Sequence, residues 1–328
     1  MVALDGRPER LLIERSGEGP RPEPGARFIA RVRRVERGLL TAFLDLGDAE
    51  AVLGLSGEAA RLREGQAVEV EIAAPARRGK AAAARLVGPG EGPPRRLTPP
   101  QSIAGRLEAL APGEAVVRGA EARAAADLAE EQALAVEHPL GGGASLAIET
   151  TRALTAIDVD LGGAAGGDGR RGQARLNARA VGEGARLLRL KGLGGLVVFD
   201  LAGRGQDAEP ALAAARAAFA PDMPGVVFGP VTRLGTLQLA LPWRATPLAE
   251  RLLDADGRPS AATVARRLAR AIEAEAAHAV RLRALCAPEV ADEAEGLRAA
   301  LVERLGPRFD ILADPGRART DFEIRRHA

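Results

Sequence analysis

Two acids in this sequence each close an apolar run: Asp158 in "LTAIDVD" and Asp200 in "LGGLVVFD". Such runs are strand signals, and the rim at a strand's end is where an α/β sheet places its site. Carboxylates on neighbouring strands repel unless one takes up a proton or a cation lies between them. Magnesium suits one or two carboxylates and keeps waters and phosphate oxygens as its other ligands. A metal held that way can activate water against a phosphodiester and offset the developing charge. Spacing alone leaves a second reading open, in which both acids only terminate strands.

The remaining reactive groups are isolated. Gly167, Gly169 and Gly172 match G-x-G-x-x-G, but the strand before them ends at Asp160. That is too far upstream for the tight first turn of a dinucleotide site, so a basic loop is the simpler reading. His138 and His278 stand apart from any Cys, Ser or carboxylate motif and read as surface or satisfied histidines; His327 lies in the tail. Cys286 is the sole cysteine, which excludes an intrachain disulfide and a Cys-rich zinc site. It reads as a small buried hydrophobe. Trp243, beside Pro242, reads as a packing residue before a base-stacking one.

The elements that must position these acids follow from patterning. Residues 20–25 and 88–100 are Gly/Pro-dense breakers, and residues 26–87 read as short strands, among them "RFIARVRRV", "LLTAFLDLG", "AVLGL" and "AVEVEIAAP". Strands at this spacing suggest a small β-barrel. "ASLAIETTRALTAIDVD" reads as two strands around a turn at residues 149–151. Helical spacing follows over 175–190, then strand in "LGGLVVFD", helix over 209–219 and strand in "GVVFGPVTRLGTLQLAL". This order argues for an α/β layer. Beyond a breaker at 247–259, Ser260 is a good N-cap for a helix over 261–284. A second helix spans 289–305, stopped by Gly306 and Pro307, and "FDILADP" is a last strand.

The bulk composition bounds partners and compartment. Among 328 residues, 46 Lys and Arg against 44 Asp and Glu leave a net charge of +2, so charge alone does not mark a nucleic-acid binder. Nearly all the cations are Arg, which pairs bidentately with phosphate. No apolar run approaches the ~20 residues of a membrane span. The first twelve residues lack the basic and apolar regions of a secretory signal. With a single cysteine, a cytoplasmic, membrane-free protein is expected.

"ALTAIDVD" followed by "ARLNARAVGEGARLLRLKGLGGLVVFD" resembles the catalytic stretch of ribonucleases E and G. The family pattern there is a strand "ALTAID-x-N", an Asn-bearing helix and "RQLRLRDLGGLIVIDFIDM". The matching positions are 153–158, Asn177, Glu183, Arg186, 188–190, 193–195 and Asp200. Outside it, "LDGRPERLLIERSG" is similar to the family's opening strand pair. "RFIARVRRVERGLLTAFLDLGDAEAVLGL" is similar to its inserted S1 barrel, and "VTRLGTLQLALPWR" to "ISRFGLLEMSRQR". The stretch from Leu282 to Ile324 resembles its small C-terminal domain.

The resemblance implies an α+β multidomain chain. An RNase H-like domain would be split between residues 1–24 and 97–143, with an S1-like, OB-type barrel inserted over 25–88. Linkers would occupy 89–96 and 247–259. A DNase I-like α/β catalytic domain would span 144–246, and a small C-terminal α/β domain 260–328. Asp158 and Asp200 would be the catalytic pair that binds magnesium, with manganese an alternative and Asp160 a further candidate ligand. Activated water would cleave single-stranded RNA and leave a 5′-phosphate. Phe28, Arg31 and Arg33 on the first barrel strand, Arg170 and Arg171 in the basic loop, and Asn177 on the helix are candidate RNA contacts. Phe43 is expected in the core, and Leu53 stands where a surface aromatic belongs.

Departures from the family pattern carry their own expectations. Asp160 replaces the family Asn, so a donor becomes an acceptor. After Asp200 the family "FIDM" is "LAGR" here, and an acid is gone. Residues 97–140 hold no counterpart of the 5′-monophosphate sensor, and Gly225 falls near the place of its later Arg. The Cys-Pro-x-Cys zinc link is missing from 247–259, so no zinc and no zinc-linked oligomer is expected. These losses leave an alternative: an RNA-binding or assembly protein of the family whose catalytic centre has decayed.

Overall fold

The computed structural model describes residues 1–15, 19, 21–77, 79–162, 169–203, 208–278 and 280–327, except the side chains of Arg170 and His327. They form two units, Met1–Ala115 with Ala126–Leu248, and Val116–Ala125 with Ala249–Ala328. Both mix helix and strand.

The first unit opens with a hairpin, β1 (Val2–Leu4) and β2 (Arg7–Arg10). Then come β3 (Arg27–Glu36), β4 (Thr41–Asp45), β5 (Glu50–Gly54), β6 (Ala67–Ala74), β7 (Ala82–Pro89) and β8 (Arg95–Arg96). The order β4-β5-β7-β6-β3 closes on itself because β3 also pairs with β4, giving a five-stranded barrel consistent with an OB-type module. Period-two alternation fills it: Phe28, Ala30 and Val32 of β3 point inward with Leu44, Leu53 and Val70. Residues 88–100, expected as a linker, are instead tied to this barrel. β8 pairs with β3, and the Arg31 guanidinium donates to the Gly92 carbonyl at 3.2 Å. The prolines lack a ladder donor, which fits so short a strand.

Two helices, α1 (Ile103–Leu110) and α2 (Gly119–Leu134), lead into a second sheet. Its strands are β9 (Glu137–Gly141), β10 (Ala144–Thr150), β11 (Thr155–Asp160), β12 (Gly195–Asp200), β13 (Val227–Val231) and β14 (Thr236–Leu241), in the order β13-β14-β12-β11-β10-β9. Only β11 and β12 run parallel, so a crossover must join them, and α3 (Gly169–Lys191) provides it. Helix α4 (Ala208–Ala218) follows β12. Residues 1–24 and 97–143 were expected to build a domain of their own. Among the described residues they form no separate sheet beyond the β1–β2 hairpin. β9 extends the second sheet because alternation buries His138 and Leu140 against its core face.

Helix α3 is fixed at several points. A Cβ on Gly184 would lie 2.6 Å from the Phe199 ring, so glycine there lets the helix sit close on β11 and β12. At its end, Leu193 N–H bonds to the Leu188 carbonyl and Gly192 N–H to the Arg189 carbonyl, a Schellman cap with Gly192 at φ 69°. The buried Glu183 carboxylate accepts from Arg186 at 2.6 Å and from Arg7. Arg186 also donates to the Pro8 carbonyl and to Gln132. Lys191 donates to the Gln132, Ala133 and Ala135 carbonyls and so caps the last turn of α2. Glu183 and Arg186, which match the family pattern, thus pin β2 and α2 to α3.

The second unit contains most of α5 (Leu248–Leu252), then α6 (Ala261–Glu275), β15 (Arg281–Cys286), α7 (Pro288–Leu305), β16 (Phe309–Ala313) and β17 (Phe322–His327). Ser260 caps α6, its hydroxyl accepting from Thr263 N–H at 3.2 Å. The helix expected to reach residue 284 stops at Glu275. "RLRALC" alternates instead, burying Leu282, Ala284 and Cys286, and forms the central strand of the order β16-β15-β17. Burial raises the Cys286 thiol above its usual pKa, in keeping with a packing role. Among the described residues no helix is long and apolar enough to cross a membrane.

Candidate active site

Strands β11 and β12 bring Asp158 and Asp200 directly opposite each other as register partners. Their neighbours Ile157, Val159, Val197 and Phe199 point into the core, so alternation turns both acids to the other, exposed face. Neighbouring strands lie ~4.8 Å apart, close enough for two carboxylates to share one cation. In register, the row across the sheet is Ala147, Asp158, Asp200 and Thr236, and the next row ends in exposed Gln238. Sequence reasoning did not single out Thr236 and Gln238. The alternation of "TLQLAL" marks their shared face, but only the register places them beside Asp200. The Thr236 hydroxyl is 2.8 Å from that of Thr232.

Asp160 shares the acid face, yet one of its carboxylate oxygens accepts the Gly162 N–H at 2.9 Å and closes a turn. Among the described residues no group of three or more His, Cys, Asp or Glu could hold a metal. The donor set is therefore two hard carboxylates on an open face, which fits an ion that fills its other positions with water or phosphate oxygen.

Asn177 requires a correction. Expected as an RNA contact, it is 2% exposed. Its side chain donates to the Ala202 carbonyl at 3.1 Å and accepts the Ala202 N–H at 3.0 Å. It thus clasps the turn two residues beyond Asp200. The turn continues through Gly203, at φ 90° with the Gln173 side chain packed on it. Residues 163–168 and the Arg170 side chain lie outside the described residues. Arg171 is exposed on the first turn of α3.

The barrel expectations for the aromatics are exchanged. Phe28 is 5% exposed and in the core, because it shares parity with Ala30 and Val32. Leu53 is likewise core, so no aromatic is missing there from the surface. Phe43 lies on the outer face of β4, partly exposed, with the Arg34 guanidinium 4.5 Å from its ring centre. Arg31 donates to the Gly65 and Gly92 carbonyls, while Arg33 pairs with Asp45 and Glu50 at 3.2 and 3.0 Å. Phosphate would have to compete for either.

His138 is neither surface nor fully satisfied: it is 4% exposed, and its Nε2 has no hydrogen-bond partner among the described residues. Burial, then the nearby Lys191 charge, lowers its pKa to about 4. Burial and the Arg186 charge lower that of Lys191 to about 8. Trp243 packs on Gly195 beneath the Arg77 guanidinium, in accord with a packing role.

Comparison with known proteins follows the same stretch. The model of the Ribonuclease E/G family matches residues 122–241, which contain β9 to β14 and both acids. Ribonuclease E of Escherichia coli (strain K12) is 45% identical over 71 residues. That match covers 21% of this chain and only 7% of the length of the relative.

Proposed function

We propose, on the match of residues 122–241 to the Ribonuclease E/G family model, that this chain is an endoribonuclease acting on single-stranded RNA in RNA processing or decay. The observation that carries this reading is the register of β11 and β12, which sets Asp158 against Asp200 on an open sheet face. Asp158 and Asp200 would hold magnesium, or manganese in its place. The bound ion would offset charge on the phosphodiester and make water nucleophilic at neutral pH. Asn177 keeps the turn after Asp200 in position, and the exposed face admits a strand without unfolding any element. Hydrolysis leaves a 5′-phosphate on one product. Phe43 with Arg34 offers a stacking surface for a base on the barrel. The sequence lacks the family's zinc-binding cysteines and its 5′ sensor. RNAs with 5′-hydroxyl and 5′-monophosphate ends should therefore be cut at similar rates, and no oligomer should form through zinc.

The test is cleavage of an A/U-rich single-stranded RNA with magnesium, with a chelator, and by Asp200→Asn. Metal-dependent cleavage that the variant loses is the expected result. Binding without cleavage, unchanged in the variant, would overturn the reading and leave an RNA-binding protein.

A further inference from the structure

Five of the six arginines of α3 fall into two groups. Arg186 and Arg189, in the second half, are neutralised by Glu183, and by Glu9 and Asp222. Arg171, Arg175 and Arg179, in the first half, recur every four residues, so they share one helix face, and all three are exposed. No acid occurs between residues 169 and 182. Arg171 and Arg179 make no hydrogen bond or ion pair among the described residues. A cation in the first helical turn also opposes the helix dipole. Local chemistry among the described residues therefore gives no reason for Arg171 and Arg179, and such a departure points to function.

The stripe begins at the acid end of the sheet. Between its members, Gln173 and Asn177 touch the turn that follows Asp200. A Cβ on Gly141 would come 3.3 Å from the Arg179 guanidinium, so Arg179 lies along the β9–β10 turn. That turn abuts Gly162, whose N–H bonds to Asp160. One sheet edge thus joins the acid row to the arginines. Four residues of helix rise ~6 Å, the order of the step between phosphates of an extended single strand.

We propose that Arg171, Arg175 and Arg179 are a phosphate track for the RNA strand. A strand lying across Asp158 and Asp200 passes over the sheet edge at Asp160 and continues along α3, with successive phosphates on successive helical turns. This rests on the ribonuclease reading only in naming RNA as the polyanion.

The experiment is fluorescence anisotropy of a labelled single-stranded oligoribonucleotide, in chelator, over a series of salt concentrations. The triple variant R171Q/R175Q/R179Q is compared with R258Q/R283Q/R298Q, which removes equal charge from the second unit. Each lost phosphate contact lowers the salt slope by ~0.7, so the track variant should lose about 2 in slope and at least about tenfold in affinity. The control should lose neither. If the triple variant fails to fold, the single variants R171Q and R179Q should each lose ~0.7. An unchanged slope in the track variants, or an equal loss in the control, overturns the track. Because binding is read without metal, the two readings fail separately. Stripe-dependent binding with no cleavage on adding magnesium refutes only the ribonuclease reading. Cleavage by wild type with an unchanged track variant refutes only the track, and no binding by wild type overturns both.

Discussion

Replacing Asn177 by alanine removes a two-way clasp on Ala202, made of bonds of 3.1 and 3.0 Å in a site where Asn177 is 2% exposed. A hydrogen bond contributes ~1 kcal/mol net, and a buried polar group that loses its partner costs ~1–3 kcal/mol. With one donor and one acceptor on Ala202 affected, the free energy of unfolding should fall by about 2–4 kcal/mol. The clasped residue is two positions from Asp200, so the acid should lose its alignment as well. Misplacement by ~1 Å costs on the order of 10²-fold in rate. A kcat lowered about 100-fold, with RNA affinity in chelator unchanged, is the expected signature. Asn177→Asp keeps the acceptor for Ala202 N–H but sets a carboxylate against the Ala202 carbonyl, and should not rescue. Urea denaturation reads the first quantity and single-turnover cleavage of single-stranded RNA the second. Stability and kcat both at wild-type levels would refute the clasp. Lost stability with full activity would show that it braces the fold without positioning Asp200.

Other perturbations discriminate equally well. The folded state binds a proton at His138 only near pH 4, whereas the unfolded chain binds it near 6.5. The associated stability is complete above the unfolded value and is lost as pH falls toward the folded one, at about 1.4 kcal/mol per unit. Between about pH 7 and pH 5 the wild type should lose about 2 kcal/mol more than His138→Met in urea denaturation; parallel curves would contradict this. Phe28→Ala should cost ~3–5 kcal/mol of stability as a core truncation. Phe43→Ala should leave stability nearly intact and weaken RNA binding by ~1–3 kcal/mol; the opposite pattern would reverse the barrel's inner and outer faces. In Gly184→Val, α3 must move away from Phe199, so a destabilisation of ~1–3 kcal/mol is expected, and a melting curve like that of the wild type would exclude the tight packing.

The acid pair was legible because it lies in long, regular strands with unambiguous parity. "LTAIDVD" and "LGGLVVFD" each bury alternate residues, and a specific family pattern surrounds them. Individual roles were less legible. Phe28 and Phe43 exchanged places because a strand's period gives two faces but not which one closes the barrel. That depends on the long-range pairing of β3 with β4 and β6. "RLRALC" was absorbed into a helix because Ala and Leu suit both states, and only the pairing of β15 with β16 and β17 decides. The Gly/Pro stretch 88–100 looked detached because its ties to the barrel, through the end of β7, the Gly90 N–H, the two residues of β8 and the Arg31 side chain, are pairings with residues distant in sequence. Asn177 could be matched to a family position, but its partner Ala202 is 25 residues away and unreadable by pattern.

The pairing of Asp158 with Asp200 has a thermodynamic consequence. The two acids are carried by ladder positions that directly follow the fully buried Ile157 and Phe199. They pair directly at the end of the β11–β12 ladder, so only release of the turn that Asn177 holds, or opening of the sheet itself, draws them apart. The centre should therefore behave as part of the most slowly opening cooperative block, its amides exchanging with solvent at rates set by unfolding of the whole sheet. A site made this way is vulnerable in the residues behind it and in the Asn177–Ala202 bonds, none of which meets the substrate.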